Sequence, residues 1–107
     1  MCIRDRQWVA PLKNHRIDLR SVMIELANRS INEALVEAGP RLIGQCISEG
    51  LVDRGVLYLA PKLLGQAARS LYDIAPAQLA DAPEIFIEEI RGVGEDLRLD
   101  WTLRKRA

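Results

Sequence analysis

Hydrophobic and polar residues follow a helical period in the first part of the chain. Four apolar residues stand at the i, i+3, i+4 and i+7 spacing of one α-helical face, namely Leu19, Val22, Met23 and Leu26. Asp18 directly precedes them, and aspartate is a residue type that caps helix N-termini with its carboxylate. The pattern therefore predicts a helix that begins just after Asp18.

A strand, a helix and a second strand are predicted next. A short apolar run ends at Glu37, and residues 34–37 are typical of a short buried strand. Pro40 suits the first position of a helix and Gly50 suits its end. Residues 56–60 form another apolar run and predict a second buried strand. Strands joined by a helix are normally parallel with a right-handed crossover, so the segment predicts a βαβ unit.

The last part of the chain predicts an antiparallel hairpin. Residues 84–91 carry several apolar side chains, and residues 92–95 have the composition of a turn. In residues 96–103, apolar and polar side chains alternate strictly: Leu97, Leu99, Trp101 and Leu103 against Asp96, Arg98, Asp100 and Thr102. That period of two is the signature of a strand with one buried face. Together the segments predict a mixed α/β sheet.

Length and charge narrow the functional classes. The chain has 107 residues and a mass of 12.0 kDa, which allows one small domain and excludes a large multidomain enzyme. Its 15 basic and 15 acidic residues balance, so no general attraction to nucleic acid or anionic membranes arises. No apolar run approaches the ~20 residues that span a bilayer. We expect a cytoplasmic protein that binds neither nucleic acid nor membranes.

Metal-ligating and nucleophilic residue types are sparse. Cys2 and Cys46 form no CxxC pair and lie near no cluster of histidines, so we expect no metal site. Cys46 falls on the apolar face of the second helix and is expected in the core. His15 is the single histidine, and we expect it to be solvated or to cap an element.

The turn from the predicted strand into the second helix is the strongest local candidate for a ligand site. Glu37 ends the strand, Gly39 permits close approach of another molecule to the backbone, and the helix begins at Pro40. Helix N-termini present free N–H groups and partial positive charge, which suit a phosphate. The alternative is a plain tight turn in which Glu37 is solvated.

Four linked motifs carry a family resemblance: residues 36–40 (VEAGP), 50–53 (GLVD), 58–65 (YLAPKLLG) and 79–83 (LADAP). In this order and spacing the chain resembles the reductase domain of the bacterial bifunctional riboflavin-biosynthesis deaminase/reductase. The resemblance covers residues 8–103, nearly the whole chain. It implies a fragment of a dihydrofolate-reductase-like mixed sheet, with the βαβ unit and the C-terminal antiparallel hairpin.

The resemblance also implies an activity and a site. The activity is NADPH-dependent reduction of 5-amino-6-(5-phosphoribosylamino)uracil to its ribitylamino product, by hydride transfer to C1′ of the ribose. The substrate-contacting glutamate of the family falls on Glu37. Its cofactor loop falls on seven residues: Gly39, Pro40, Arg41, Leu42, Ile43, Gly44 and Gln45. The catalytic residues that position the hydride are not identified. A homo-oligomer is expected for the full-length form.

Some positions depart from the family pattern. Arg41 stands where threonine is common, and either adds a charge-assisted contact to a cofactor phosphate or is simply an exposed arginine. Gln45 stands where a small residue is common. Gly55 is expected to weaken the start of the second predicted strand. Ala67 replaces a common aspartate, which puts a polar role there in doubt.

The extent of the resemblance leads to further expectations. The deaminase zinc motif and the first half of the reductase domain have no counterpart here, so residues 7–107 are expected to be the C-terminal half of that domain. Residues 1–6 match nothing in the family and form a leader that could derive from a truncated reading frame. We expect the chain alone to be inactive. The alternatives are a related stand-alone pyrimidine or pterin reductase, and a non-catalytic remnant or interaction module.

Overall fold

The computed structural model describes residues 8–73 and 78–104. The leader predicted at residues 1–6, and Cys2 within it, lie outside the described residues.

The chain divides into two compact units, and the boundary between them lies between Val36 and Glu37. The first contains strands β1 (Leu12–Lys13) and β2 (Arg16–Ile17) and helix α1 (Leu19–Asn28). The second contains helix α2 (Pro40–Ser48), strands β3 (Arg54–Leu59), β4 (Ile85–Val93) and β5 (Asp96–Leu103), and a 3₁₀ turn at Leu79–Asp81.

The first unit contains a short β-hairpin, in which each strand and the turn between them have two residues. β1 and β2 pair antiparallel, with Leu12 opposite Ile17 and Lys13 opposite Arg16. Asn14 and His15 form the turn with φ values of 52° and 63°, both in the left-handed region. Positive φ at both central residues defines the I′ turn, which matches the twist of the strands. His15 is exposed in this turn, as expected for a solvated histidine.

Helix α1 is capped at both ends. The Asp18 carboxylate accepts hydrogen bonds from the Ser21 backbone N–H at 3.4 Å and from Ser21 Oγ at 2.9 Å, which confirms the predicted N-cap. At the C-terminus, the N–H of Ile31 donates to Leu26 O at 3.0 Å and the N–H of Ser30 donates to Ala27 O at 2.9 Å. This pair of bonds is the Schellman motif, and it places Ser30 at φ 61°.

Helix α2 begins at Pro40 as predicted and ends with the same motif as α1. The N–H of Leu51 donates to Cys46 O at 2.9 Å, and the N–H of Gly50 donates to Ile47 O at 3.1 Å. Here the left-handed position belongs to glycine, because Gly50 has φ 69°. The predicted helix end at Gly50 is confirmed. Among the described residues, Cys46 is the buried hydrophobic side chain, at 7% exposure, so its predicted core position is also confirmed.

The second unit contains a three-stranded antiparallel sheet in the order β3–β5–β4. β5 lies in the centre and pairs with β3 on one side and with β4 on the other. The predicted C-terminal hairpin is confirmed as β4 and β5, joined through Gly94 at φ 59°. The mixed α/β class is confirmed as well.

The prediction that residues 34–37 form the first strand of a βαβ unit is wrong. Residues 31–39 hold neither helix nor strand, and β3 pairs antiparallel with β5 rather than parallel with residues 34–37. A strand exists through hydrogen bonds to a neighbouring strand, and no described strand pairs with residues 34–37. Apolar composition alone therefore does not produce a strand at this position.

A β-bulge in β4 keeps the two faces of the sheet chemically distinct. Ile87 pairs with Trp101 and Glu89 pairs with Asp100, so Glu88 is the extra residue. The Glu88 carboxylate accepts a hydrogen bond from Thr102 Oγ1 at 3.1 Å and therefore lies on the polar face. Without the bulge, the strict alternation of a strand would place one of the two consecutive glutamates on the apolar face.

The opposite face of the sheet is apolar and largely uncovered by the described residues. Its side chains, which share a face by register, are Leu57, Leu59, Ile85, Ile87, Ile90, Leu97, Leu99, Trp101 and Leu103. Leu59 and Ile90 are 56% and 58% exposed. Among the described residues, no helix has the length and apolar character needed to cross a membrane.

Candidate functional site

The N-terminus of α2 is open at the backbone. Gly39 is the N-cap, with φ −75° and ψ 177°, and it has no side chain to satisfy the first N–H groups of the helix. The N–H of Ile43 donates to Gly39 O at 3.2 Å and begins the helical hydrogen-bond pattern. Pro40 has no N–H, so the donors ahead of Ile43 belong to Gly39, Arg41 and Leu42. Their partial positive charge can attract an anion.

Space around Gly39 is also open. A Cβ added there would meet no heavy atom within 4 Å. A φ of −75° is accessible to every residue type, so neither packing nor backbone strain requires glycine at this position. Glycine is tolerated as an N-cap, and it also permits close approach of a ligand to the backbone.

The predicted cofactor loop divides into an accessible part and a buried part. Gly39, Arg41 and Leu42 are exposed, whereas Ile43 and Gln45 are partly buried; Pro40 is also partly buried and Gly44 is buried. A phosphate can therefore reach the backbone at residues 39–42. It cannot reach Gly44, because that residue is buried. The sequence did not distinguish these two parts.

Glu37 lies two residues before the N-cap, in a segment without regular structure, and is exposed. Chain continuity alone keeps it near the start of α2. The exposed Arg41 lies on the first turn of the helix and brings a positive charge to the same end. The accessible end of α2 thus combines one carboxylate, one guanidinium and free backbone donors.

Sequence reasoning missed the part played by Asp73. Its backbone N–H donates a hydrogen bond to the carbonyl oxygen of Pro40 at 3.0 Å. This bond fixes Asp73, which lies in the connection after β3, against the first turn of α2. It joins residues 33 positions apart (73 minus 40), and no local sequence signal indicates it. It also brings a second exposed carboxylate to the region of the candidate site.

A polar cluster on the sheet was not predicted either. Arg98 donates from Nη2 to Asp100 Oδ1 at 2.9 Å, and its guanidinium lies 6.0 Å from the ring centroid of Tyr58, its register partner on β3. The hydrogen bond to Asp100 is the largest of the influences that raise the pKa of Arg98. Arg98 thus remains a cation that is paired with Asp100 on the polar face of the sheet.

The thiol of Cys46 is not an additional reactive group. Burial is the main cause that raises its pKa, and the nearby charge of Glu49 adds to the effect. A raised pKa disfavours the thiolate, which is the nucleophilic form. Cys46 therefore acts in packing.

Comparison with known proteins decides the family. The sequence model of the RibD C-terminal domain matches residues 2–99. The chain belongs to the RibD C-terminal domain family. The Riboflavin biosynthesis protein RibD of Escherichia coli (strain K12) is 43% identical over 95 residues, which cover 88% of this chain and 26% of that protein. RibD of Haemophilus influenzae is 44% identical over 85 residues, covering 78% of this chain and 23% of that protein.

Another relative and a solved structure extend the comparison. The 5-amino-6-(5-phosphoribosylamino)uracil reductase of Buchnera aphidicola subsp. Acyrthosiphon pisum is 31% identical over 93 residues, covering 86% of this chain and 45% of that protein. The structure of Acinetobacter baumannii RibD, form 2, superimposes with a TM-score of 0.78 and 25% identity, covering 88% of this chain and 30% of that one. The predicted resemblance and the dihydrofolate-reductase-like fold class are confirmed. The chain spans about a quarter of the length of the RibD relatives.

Proposed function

We propose that this chain is the cofactor-phosphate and substrate-contacting part of a riboflavin-pathway reductase. The reaction is the NADPH-dependent reduction of 5-amino-6-(5-phosphoribosylamino)uracil to its ribitylamino product. The observation that carries the proposal is the match to the RibD C-terminal domain family over residues 2–99. A relative named for this reductase activity supports it. When bound, NADPH supplies the hydride that reduces C1′ of the ribose.

The open start of α2 fits the phosphates of a dinucleotide. Gly39 carries no side chain that competes for the free donors, and among the described residues no atom beyond its chain neighbours lies within 4 Å of the position of a Cβ. Backbone N–H groups of Arg41 and Leu42 donate to phosphate oxygens, and the helix adds partial positive charge at the same end. Arg41 contributes a charge-assisted contact from its exposed guanidinium.

Glu37 serves the substrate rather than the cofactor in this proposal. A carboxylate close to cofactor phosphates would repel them, so its favourable role is to accept hydrogen bonds from hydroxyl or amine donors of the substrate. Exposure of Glu37 leaves it accessible for this contact. The proposed division therefore assigns binding of the cofactor to the backbone of residues 39–42 and binding of the substrate to Glu37.

The chain alone is proposed to be inactive. It spans 26% of the E. coli relative, so most of a RibD protein lies outside it. The uncovered apolar face of the sheet, with Leu59 and Ile90 more than half exposed, is also unlike the surface of a self-sufficient monomer. Association or aggregation of the isolated chain follows from that exposed surface.

A chimera tests the proposed function. Residues 8–104 of this chain replace the matching region of E. coli RibD, and NADPH oxidation is measured with 5-amino-6-(5-phosphoribosylamino)uracil as substrate. The parent RibD is the positive control, and the isolated chain at equal concentration is the comparison. We expect turnover from the chimera and none from the isolated chain. A folded chimera that binds NADPH no better than the isolated chain and shows no turnover would favour the non-catalytic alternative.

A further inference from the structure

We draw no further inference here: the strongest candidate, the half-exposed apolar face of the three-stranded sheet β3–β5–β4, carries nothing because no feature of the described residues shows what covers it.

Discussion

The indole ring of Trp101 on β5 occupies the space directly beside the Cα of Gly55, its register partner on β3. A Cβ added to Gly55 would overlap the ring, with Cη2 of Trp101 at 2.6 Å. The φ of Gly55 is not in the left-handed region, so glycine is needed here for space and not for conformation. An aromatic side chain that covers a cross-strand glycine also replaces the packing that the glycine lacks.

Substitution of Gly55 by alanine should therefore destabilise the sheet. The added methyl group must displace the Trp101 ring, and overpacking of this kind typically costs about 1–3 kcal/mol. Urea unfolding followed by tryptophan fluorescence at equal protein concentrations measures the change. The matched control is Gly92→Ala on β4, where a Cβ would meet nothing within 4 Å, and its effect should stay within about 0.5 kcal/mol. Equal losses in the two variants would show that Trp101 does not require Gly55.

The two Schellman motifs provide a second, reciprocal prediction. Gly50 and Ser30 occupy the same left-handed position after α2 and α1, with φ 69° and 61°. Since a side chain is unfavourable in that conformation, Gly50→Ala should cost about 1 kcal/mol of unfolding free energy, and Ser30→Gly should gain a similar or smaller amount. A Cβ at Gly50 would meet no atom within 4 Å, so any cost there is conformational. Thermal unfolding of both variants against the parent chain measures it, and a stabilising Gly50→Ala would contradict the assignment.

The Asp18 cap predicts a pH dependence. The side-chain hydrogen bond from Ser21 is the main cause that lowers the pKa of Asp18 in the folded chain. A lowered folded-state pKa means that the contribution of Asp18 to stability is present above its unfolded pKa and is lost as the pH falls through the folded one. Helix α1 should therefore lose helical signal below a pH of about 4.

Circular dichroism between neutral and acidic pH checks this expectation. Asp18→Ala should reduce the helical signal at neutral pH and remove this component of the acid transition. Asp18→Asn retains an oxygen acceptor without a titrating group, so its capping should be independent of pH. If the parent chain and the asparagine variant titrate identically, Asp18 is not the group responsible.

The helix ends that sequence predicted correctly are determined by local chemistry. Asp18 and Gly50 mark the ends of their helices through bonds to residues at most five positions away. The bulge can also be predicted from the sequence. Glu88 and Glu89 separate Ile87 from Ile90 by two polar residues, which is one more than the alternation of a regular strand allows. That shift in parity is a signal in the sequence that indicates a bulge.

The parts that sequence failed to predict depend on distant segments. Residues 34–37 have the composition of a buried strand, but a strand needs a hydrogen-bonded neighbour, and the described residues provide none. The bond from Asp73 to Pro40 joins the connection after β3 to the start of α2 and has no counterpart in local pattern. For the candidate site, sequence located the N-terminus of α2, whereas the structure was needed to separate its exposed residues from the buried Gly44.

Gly39→Val should weaken the binding of NADPH without unfolding the chain. The Cβ would enter open space and the φ of −75° suits any residue, so the α2 N-terminus should keep its structure. The branched side chain would instead obstruct approach of a phosphate to the free N–H groups. Loss of a hydrogen bond to a charged group is worth about 1.5–3 kcal/mol, so NADPH affinity in the chimera should fall about tenfold to a hundredfold. Gly39→Ala, with a smaller side chain, should give an intermediate loss, and unchanged NADPH affinity in both variants would exclude this backbone as the phosphate site.

Glu37→Gln should produce the opposite selectivity in the same chimera. The amide keeps the size of the side chain but removes the charge, so a hydrogen bond from a substrate donor becomes a neutral one. Since a hydrogen bond to a charged group contributes about 1.5–3 kcal/mol, affinity for the pyrimidine substrate should fall by up to about a hundredfold. NADPH affinity should be nearly unchanged, since the proposed function assigns the phosphates to the backbone of residues 39–42 and not to this carboxylate. Separate titrations of the two ligands against Glu37→Gln and Gly39→Val decide the matter, because each variant is the control for the other. Equal weakening of both ligands by both variants would mean that this turn supports the structure of the site as a whole and that its residues do not divide the two roles.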